Sequence, residues 1–285
     1  MNLKKIVFAL VLICAAAVHS KAQQLRVGTY NLRMDNAGDI GNLWVDRAPV
    51  VAELLRFHDF DVFGTQEGFK NQLDDINRAL PEYERYGAGR DDGKEKGEHS
   101  AIFYKKSRFK LLNKGDFWLS QTPDKPSLGW DATCCNRICS WVYLQDLETK
   151  KKLYFFNVHY DHQGVEARRE SSKLILSKMK EIAGNEPVIL TGDLNGNHTS
   201  EWYLTLANSN QMKDTYQLAA HPYVNNSSFN GFKKPSEKKE IIDHVFVSNG
   251  FQVKKWGLLT DTYVGKYPSD HFPILVELTY PSKSK

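Results

Sequence analysis

Short apolar segments alternate with helical patterns along this chain, and their order restricts the folds that it can adopt. Residues 45–57, 69–80 and 165–182 show the three-to-four-residue apolar spacing of amphipathic helices. A short turn joins an apolar segment at 137–145 to another at 153–158, as in an antiparallel hairpin. Strands are predicted at 25–32, 61–65, 101–105, 137–145, 153–158, 188–190, 241–248, 251–259 and 272–278. Helical crossovers combined with hairpins predict mixed sheets covered by helices.

The first 22 residues have the pattern of a secretory signal peptide. Two lysines precede an apolar stretch at 6–18, and a small-x-small triplet follows at 20–22. The alternative is a lipoprotein signal acylated at Cys14, which the large Ile13 directly before it disfavours. No later segment is as apolar, so we expect no membrane span. From the signal-peptide pattern we expect a secreted, periplasmic or cell-envelope location.

Most of the basic excess of the chain lies in this predicted leader. The full sequence has a net charge of +4, but three lysines and no acids fall in the leader, which leaves 35 basic and 34 acidic side chains. A net charge near zero gives no overall electrostatic support for nucleic-acid binding, although a local basic patch stays open. Neither an internal repeat nor a Pro/Gly linker divides residues 23–285, for which we expect a single catalytic domain and a monomer.

Three cysteines remain after the leader, an odd number without the spacing of a metal site. They are Cys134, Cys135 and Cys139. Residues four apart on a strand lie too far apart to form a disulfide. We assign these cysteines no role and expect small apolar side chains around a buried strand.

Polar side chains of similar chemistry recur where the predicted strands begin or end. They are Asn31, Glu67, His159, Asp193, Asn195, Asp243, Asp270 and His271. Taken singly, an acid or amide in such a place is usually a turn residue. If the strand ends meet at one edge, however, their oxygen atoms form a ligand set suited to a hard cation such as Mg²⁺ or Ca²⁺.

In order and character these motifs resemble those of the endonuclease/exonuclease/phosphatase superfamily. The matching segments are 29–33, 65–67, 157–159, 192–195, 242–243 and 269–273. The resemblance implies an α/β (α+β) fold, a two-sheet β-sandwich flanked by helices in the four-layer architecture of deoxyribonuclease I. With the predicted leader, it indicates a secreted, bacterial-type member.

The resemblance also implies a metal site. Glu67 would be the principal ligand, with Asn31 close by and Asp270 completing the set. Asp193 and Asn195 would orient the attacking nucleophile. The cation implied is Mg²⁺, with Mn²⁺ or Ca²⁺ as alternatives.

Two histidine–carboxylate pairs and an arginine complete the implied catalytic residues. His271 resembles the general base, held by Asp243. His159 resembles the histidine that faces the phosphate, with Glu98 as its carboxylate partner, and Arg137 resembles the arginine that contacts the phosphate. An imidazole beside a carboxylate can accept a proton near neutral pH, which phosphate-ester hydrolysis by water requires.

Some neighbouring residues receive structural interpretations. His244 follows Asp243 on a strand and is expected on the opposite face. Arg168 and Arg169 are expected to face solvent on a helix. His162 is equally consistent with contact to a substrate and with a place at the start of a helix.

We therefore expect a secreted, divalent-metal-dependent phosphoesterase, either a phosphodiesterase or a phosphatase. A secreted nuclease is one alternative; another is a sphingomyelinase-type lipid phosphodiesterase, for which only 117–118 and 263–267 offer a membrane-binding hairpin. A non-catalytic binding protein on the same scaffold is the alternative of a different class, and the competent side chain at every matched position argues against it. No Gly-x-Ser-x-Gly motif supports a serine hydrolase.

Overall fold

Twelve strands form two six-stranded mixed sheets in the computed structural model, which describes residues 24–233 and 239–281. The predicted leader at 1–22 lies outside the described residues. The strands are β1 (Gln24–Asn31), β2 (Val62–Gln66), β3 (Tyr83–Tyr86), β4 (Ile102–Lys105), β5 (Phe109–Trp118), β6 (Ile138–Asp146), β7 (Lys152–His159), β8 (Val188–Asp193), β9 (Met212–Asp214), β10 (Asp243–Ser248), β11 (Gln252–Leu258) and β12 (Ile274–Thr279). The first sheet has the order β11–β12–β1–β2–β4–β3, and the second has the order β5–β6–β7–β8–β10–β9.

Helices cover the outer face of each sheet. They are α1 (Trp44–His58), α2 (Lys70–Ala79), α3 (Val165–Ala183), α4 (Glu201–Ala207) and α5 (Thr215–Leu218). Leu55 of α1 belongs to the same buried cluster as Phe63 of the first sheet, and Met179 of α3 to the same cluster as Phe156 of the second. A third apolar cluster fills the space between the sheets. The layers therefore run helix, sheet, sheet, helix, which confirms the predicted fold class.

Alternation along each central strand decides which side chains face the other sheet. On β7, Leu153 and Phe155 belong to the cluster between the sheets, whereas Phe156 and Val158 belong to the cluster under the helices. Because side chains alternate in a strand, Asn157 and His159 continue the face that looks toward the other sheet. The inter-sheet face thus changes from apolar to polar as the strand approaches its end.

The amide of Asn157 is fully buried and makes four hydrogen bonds, of which three connect the two sheets. Its Nδ2 donates to the carbonyl oxygens of Thr65 (2.8 Å) and Ala101 (3.0 Å) in the first sheet. Its Oδ1 accepts from Gln66 Nε2 at 2.7 Å and from Thr191 Oγ1 at 3.0 Å. Every donor and acceptor of the amide is therefore used, which makes its burial tolerable.

A glycine on β2 makes room for this amide. A Cβ atom at Gly64 would lie 2.2 Å from Asn157 Oδ1 and 2.4 Å from Thr191 Oγ1. Both distances are far below van der Waals contact, so a larger residue would push the sheets apart at this level.

The sequence pattern does not predict β3, β5, β9, α4 or α5, whereas every predicted strand and helix is present with small shifts at its ends. In the described part of the chain, no helix combines the length and the apolarity needed to cross a membrane.

Replacing the central amide should strongly destabilise the fold. In Asn157→Leu, two buried carbonyl groups and the side chains of Gln66 and Thr191 each lose one hydrogen bond. A buried hydrogen bond contributes about 0.5–1.5 kcal/mol and four are lost, so the free energy of unfolding should fall by about 3 kcal/mol or more. Urea denaturation followed by circular dichroism measures this change.

The matched control is Asn225→Ala, at an exposed asparagine whose amide donates to Tyr223 Oη. This variant should stay within about 0.5 kcal/mol of the wild type. Equal stabilities of the two variants would contradict a structural role for the Asn157 amide.

Candidate active site

The central strand pair of each sheet is parallel, and both pairs end at the same edge of the molecule. β1 lies beside β2, with Asn31 opposite Gln66, and β7 lies beside β8, with His159 opposite Asp193. Asp243 begins the antiparallel strand β10 and also faces Asp193. Asn31 Nδ2 donates to Asp193 Oδ2 at 3.1 Å across the two sheets. The predicted convergence of the strand ends is therefore present.

Three residues just beyond the strand ends have a left-handed backbone conformation. Arg33, Glu67 and Asn195 have φ angles of 55°, 63° and 46° and follow β1, β2 and β8. This region is uncommon for residues with a side chain, and such strain is concentrated at functional sites. All three side chains line the same cavity.

The first part of the site is a cluster of carboxylates around Asn31. Asn31 Nδ2 donates to Glu67 Oε1 at 3.1 Å, and its Oδ1 accepts from the backbone N–H of Arg33 at 3.0 Å. Arg33 lies between two of the predicted metal ligands, at 3.9 Å from Glu67 Oε2 and 3.8 Å from Asp270 Oδ2. Asn31 is fully buried, and its N–H groups orient the carboxylates of Glu67 and Asp193.

This cluster fits a divalent cation by its charge and its donor atoms. Burial raises the pKa of the Asp270 carboxyl to about 6, and the neighbouring charge of Glu67 adds to that rise. Burial and the charge of Asp243 raise the pKa of Asp193 as well. A divalent cation would supply the missing positive charge, and carboxylate oxygen atoms are the ligands that Mg²⁺ and Ca²⁺ prefer.

His271 and Asp243 form a buried pair at the opposite side of the cluster. His271 Nδ1 lies 2.9 Å from Asp243 Oδ2, and its Nε2 lies 3.7 Å from Asp193 Oδ2. Burial alone would lower the pKa of His271, but the charge and hydrogen bond of Asp243 raise it well above its ordinary value. The pair has the geometry that its predicted role as general base and orienting acid requires.

His159 lies in the second part of the site, where its environment is cationic. Its Nε2 is 3.2 Å from Asn195 Nδ2, which assigns Nε2 as the acceptor in this bond. Burial and the charge of Arg137 lower the pKa of His159 to about 3. Its predicted partner Glu98 is 3.7 Å from Nδ1 and lies closer to Arg90, whose Nη1 donates to Glu98 Oε2 at 2.6 Å. Sequence reasoning missed Arg90, which lies in a Gly-flanked loop without any periodic pattern.

Arg137 lies next to His159, and hydrogen bonds to Asp161 and His162 fix its guanidinium group. Its Nε donates to Asp161 Oδ2 at 3.3 Å, and its Nη2 donates to His162 Nδ1 at 2.8 Å. Asp161 also accepts the backbone N–H groups of Gln163 and Gly164, at 2.8 Å and 2.6 Å. His162 lines the cavity beside Arg137, so contact with a substrate stays open for it.

Two interpretations from the sequence are wrong. Cys134 and Cys135 lie in the loop before β6 and form a disulfide with each other; only Cys139 is a buried strand residue. Arg168 does not face solvent: it is 8% exposed, stacks on Trp202 at 4.4 Å and donates to the carbonyl of Asp161.

One cavity of about 590 Å³ holds these groups. Most of the predicted site residues line it, and they are Glu67, Glu98, Arg137, His159, Asp193, Asn195, Asp270 and His271. Asn31 and Asp243 are not part of the lining and lie behind Glu67 and His271. Volumes between about 300 and 1,000 Å³ are typical of sites for small molecules.

The sequence and the fold of this chain are similar to those of known proteins. Residues 28–271 match the model of the Endonuclease/Exonuclease/phosphatase family. A solved family protein from Bacteroides thetaiotaomicron is 48% identical, with a TM-score of 0.88 and coverage of 91% of this chain and 98% of that one. A mannosyl-6-phosphatase from the same organism is also 48% identical, with a TM-score of 0.87 and coverage of 90% and 100%. The catalytic domain of human Nocturnin, at 20% identity, a TM-score of 0.71 and coverage of 90% and 94%, shares the fold.

Replacing Asp243 should change the titration of His271 in a defined direction. Asp243→Asn removes the carboxylate that raises the pKa of His271, while burial, which lowers it, remains. The midpoint for His271 should therefore move to lower pH. Proton NMR of the histidine ring signals in protein treated with EDTA measures the shift.

Asp261→Asn is the matched control, because Asp261 pairs with a different histidine, His58, at 3.1 Å on the surface. It should leave the His271 signal unchanged. An unaltered midpoint in Asp243→Asn would show that Asp243 does not control the charge of His271.

Proposed function

The chain belongs to the endonuclease/exonuclease/phosphatase family, and from this premise we propose that it is a divalent-metal-dependent phosphatase acting on a sugar phosphomonoester. Membership and the mannosyl-6-phosphatase relative make it a hydrolase of phosphoric esters. The proposal that the substrate is a small sugar phosphate rests on one observation. A single cavity of small-molecule size contains the buried carboxylate cluster on one side and, on the other, a wall with the guanidinium groups of Arg90 and Arg137, here called the cationic wall.

The cationic wall suits the phosphate group. Arg137 and Arg90 both line the cavity, and Asp161 and Glu98 hold them in place. A phosphomonoester carries about −1.5 to −2 charges at pH 7, so two fixed guanidinium groups match it well. Donors that are already oriented can stabilise the charge that develops on the phosphoryl oxygen atoms.

The opposite wall suits the activation of water. In its neutral form, His271 has its Nδ1–H held by Asp243 and can take a proton through Nε2 from a water molecule on the side of Asp193. The positive charge of a cation bound beside it would lower the raised pKa of His271 and so favour this neutral form. A divalent cation held by Glu67 and Asp270 would neutralise phosphoryl charge when bound. Asn31 keeps the carboxylates in position through its two N–H bonds.

The rest of the cavity suits a sugar ring. Met34, Phe69 and Phe229 contribute apolar surface to the lining. Phe229 is 49% exposed, and its ring packs edge-on against His271 at a centroid distance of 5.0 Å. Aromatic and apolar faces can pack against the C–H face of a sugar, and the relative named mannosyl-6-phosphatase supports this substrate class.

The alternatives within the family receive less support. Phe117 and Trp118, one of the two candidate membrane-binding segments, are buried, and Trp118 Nε1 donates to the carbonyl of Arg90. The predicted net charge of residues 23–285 is close to zero, which does not favour a polyanion such as DNA. We also propose that the protein is exported and monomeric, on the basis of the leader pattern at 1–22 and the single domain.

A panel of phosphate esters tests the proposal. The panel contains mannose 6-phosphate, glucose 6-phosphate, bis-nitrophenyl phosphate, a DNA oligonucleotide and sphingomyelin, each with Mg²⁺, Mn²⁺ or Ca²⁺. We expect hexose 6-phosphates with Mg²⁺ to give the highest kcat/KM. Release of phosphate measures the sugar monoesters, release of nitrophenol the bis-nitrophenyl ester, strand cleavage the DNA oligonucleotide, and release of phosphocholine the sphingomyelin. Preferred hydrolysis of DNA or sphingomyelin would contradict the proposed substrate class and support the corresponding alternative.

Glu67→Gln should abolish most of the metal-dependent activity. The substitution keeps the size of the side chain but removes the charge that the predicted metal site needs, so kcat should fall by about 10³-fold or more. Glu95→Gln changes an exposed glutamate outside the cavity lining and should retain wild-type rates. Equal activity of wild type and Glu67→Gln would refute metal-dependent catalysis at this site.

Arg137→Met should weaken both substrate binding and turnover. It removes one of the two guanidinium groups of the cationic wall, so kcat/KM should fall by about 10²–10³-fold. Arg169→Met, at a helix position whose side chain is 41% exposed, serves as the control and should change little. A rise in KM without any fall in kcat would show that Arg137 binds the ground state and the transition state equally and does not stabilise the transition state selectively.

A further inference from the structure

A second group of metal-type side chains lies on the helix-covered face of the second sheet, outside the cavity. His244 on β10 points to the face opposite Asp243, as alternation along a strand predicts. Asp214 ends β9, and His198 lies between β8 and α4. One ligand atom from each of these three residues lies within 4.8 Å of the other two. The proposed phosphatase chemistry uses none of them.

The distances within this His198–Asp214–His244 cluster match those around a tetrahedral metal ion. His198 Nε2 is 3.4 Å and His244 Nδ1 is 3.7 Å from Asp214 Oδ2. Zinc binds nitrogen and oxygen at about 2.0–2.1 Å, which places tetrahedral ligand atoms about 3.3 Å apart. A small movement of the half-buried His198 ring would therefore complete the geometry.

The hydrogen bonding of His244 leaves the Nδ1 lone pair of its neutral ring facing the Asp214 carboxylate. His244 Nε2 is 2.9 Å from the carbonyl oxygen of Gly196, which can only accept, so Nε2 carries the proton and Nδ1 of the neutral ring does not. His198 Nε2 is buried, lies 3.4 Å from Asp214 Oδ2 and makes no hydrogen bond of good geometry to it. Both nitrogen atoms face Asp214 Oδ2. Without a metal, each nitrogen needs its own proton to satisfy these two pairs, whereas one metal ion satisfies all three atoms.

The surroundings of the cluster are those of supported metal ligands. The carbonyl of Gly196 fixes the tautomer of His244, and Tyr203 Oη donates to Asp214 Oδ2 at 2.8 Å. The N–H of Tyr216 donates to Asp214 Oδ1 at 2.9 Å, and its ring stacks on His198. Hydrogen bonds of this kind orient ligands and set the tautomer at metal sites.

We propose that His198, Asp214 and His244 form a second metal site, for a transition-metal ion of the Zn²⁺ class. Two imidazole nitrogen atoms and one carboxylate oxygen select Zn²⁺ or Co²⁺ over Mg²⁺, and three protein ligands leave a fourth position for water. The ion ties the segment after β8, the strand that ends at Asp193, to β9 and to β10, the strand that begins at Asp243. It therefore stabilises the support of the catalytic groups without touching the substrate.

Co²⁺ binding tests this site independently of any enzymatic activity. The triple variant Glu67→Gln/Asp193→Asn/Asp270→Asn removes carboxylates of the catalytic metal site and one member of the Asp193–Asp243–His271 group, and it serves as the background. After EDTA treatment and dialysis, this background protein should bind one equivalent of Co²⁺ with the intense visible d–d absorption of a tetrahedral site. Addition of Zn²⁺ should displace the cobalt and raise Tm.

His198→Phe in the same background removes one ligand but keeps an aromatic ring against Tyr216. It should lose the absorption band and bind Co²⁺ more than about 100-fold more weakly, because even loss of a second-shell contact costs 10–100-fold. Its Tm in EDTA should match that of the background protein, which separates loss of a ligand from loss of the fold. His221→Phe, at an exposed histidine outside the cluster, should keep the band.

Absence of the tetrahedral band in the background protein would overturn the proposal and leave the cluster as a proton-sharing network. Retention of the band in His198→Phe would overturn it as well. Because neither result depends on catalysis, failure of the phosphatase proposal would leave this test unaffected.

Discussion

The buried amide of Asn157 is the interaction on which the site above it depends. Apolar packing between the sheets is not directional, whereas its four hydrogen bonds specify how β7 lies against β2 and β8. His159 lies two residues further along the same face of β7. The contact that aligns the sheets therefore also sets where His159 stands relative to Glu67, and Gly64 permits it by leaving the space empty.

Charge is the second constraint on this edge of the molecule. Glu67, Asp193, Asp243 and Asp270 are brought together where solvent is largely excluded, and burial raises the pKa values of Asp193 and Asp270. Arg33, the Asn31 amide and His271 offset part of the repulsion. This concentration of buried negative charge favours the binding of a cation, and the perturbed pKa values are typical of a catalytic site.

The sequence predicted strands and site residues correctly where the local pattern of apolar and polar residues indicates which side chains are buried. Strands such as β7 and β8 are apolar on both faces, and a polar residue at their ends stands out. It failed for β5, because an edge strand with an exposed centre and a bulge between Leu111 and Asn113 carries no apolar alternation. It also failed for Arg168, whose burial depends on a Trp202 ring contributed by another helix.

The amino-acid sequence by itself determined the layers of the fold and the chemistry of the strand ends, because periodicity and polar interruptions are local properties. Only the tertiary structure decided which groups face each other. Arg90 pairs with Glu98, Asn31 turns its N–H toward two carboxylates, and His198 meets Asp214 and His244. Apart from Arg90 and Glu98, which are eight residues apart, these pairings join residues that are distant in the chain. Their geometry follows from how two sheets and their loops pack rather than from any spacing along the sequence.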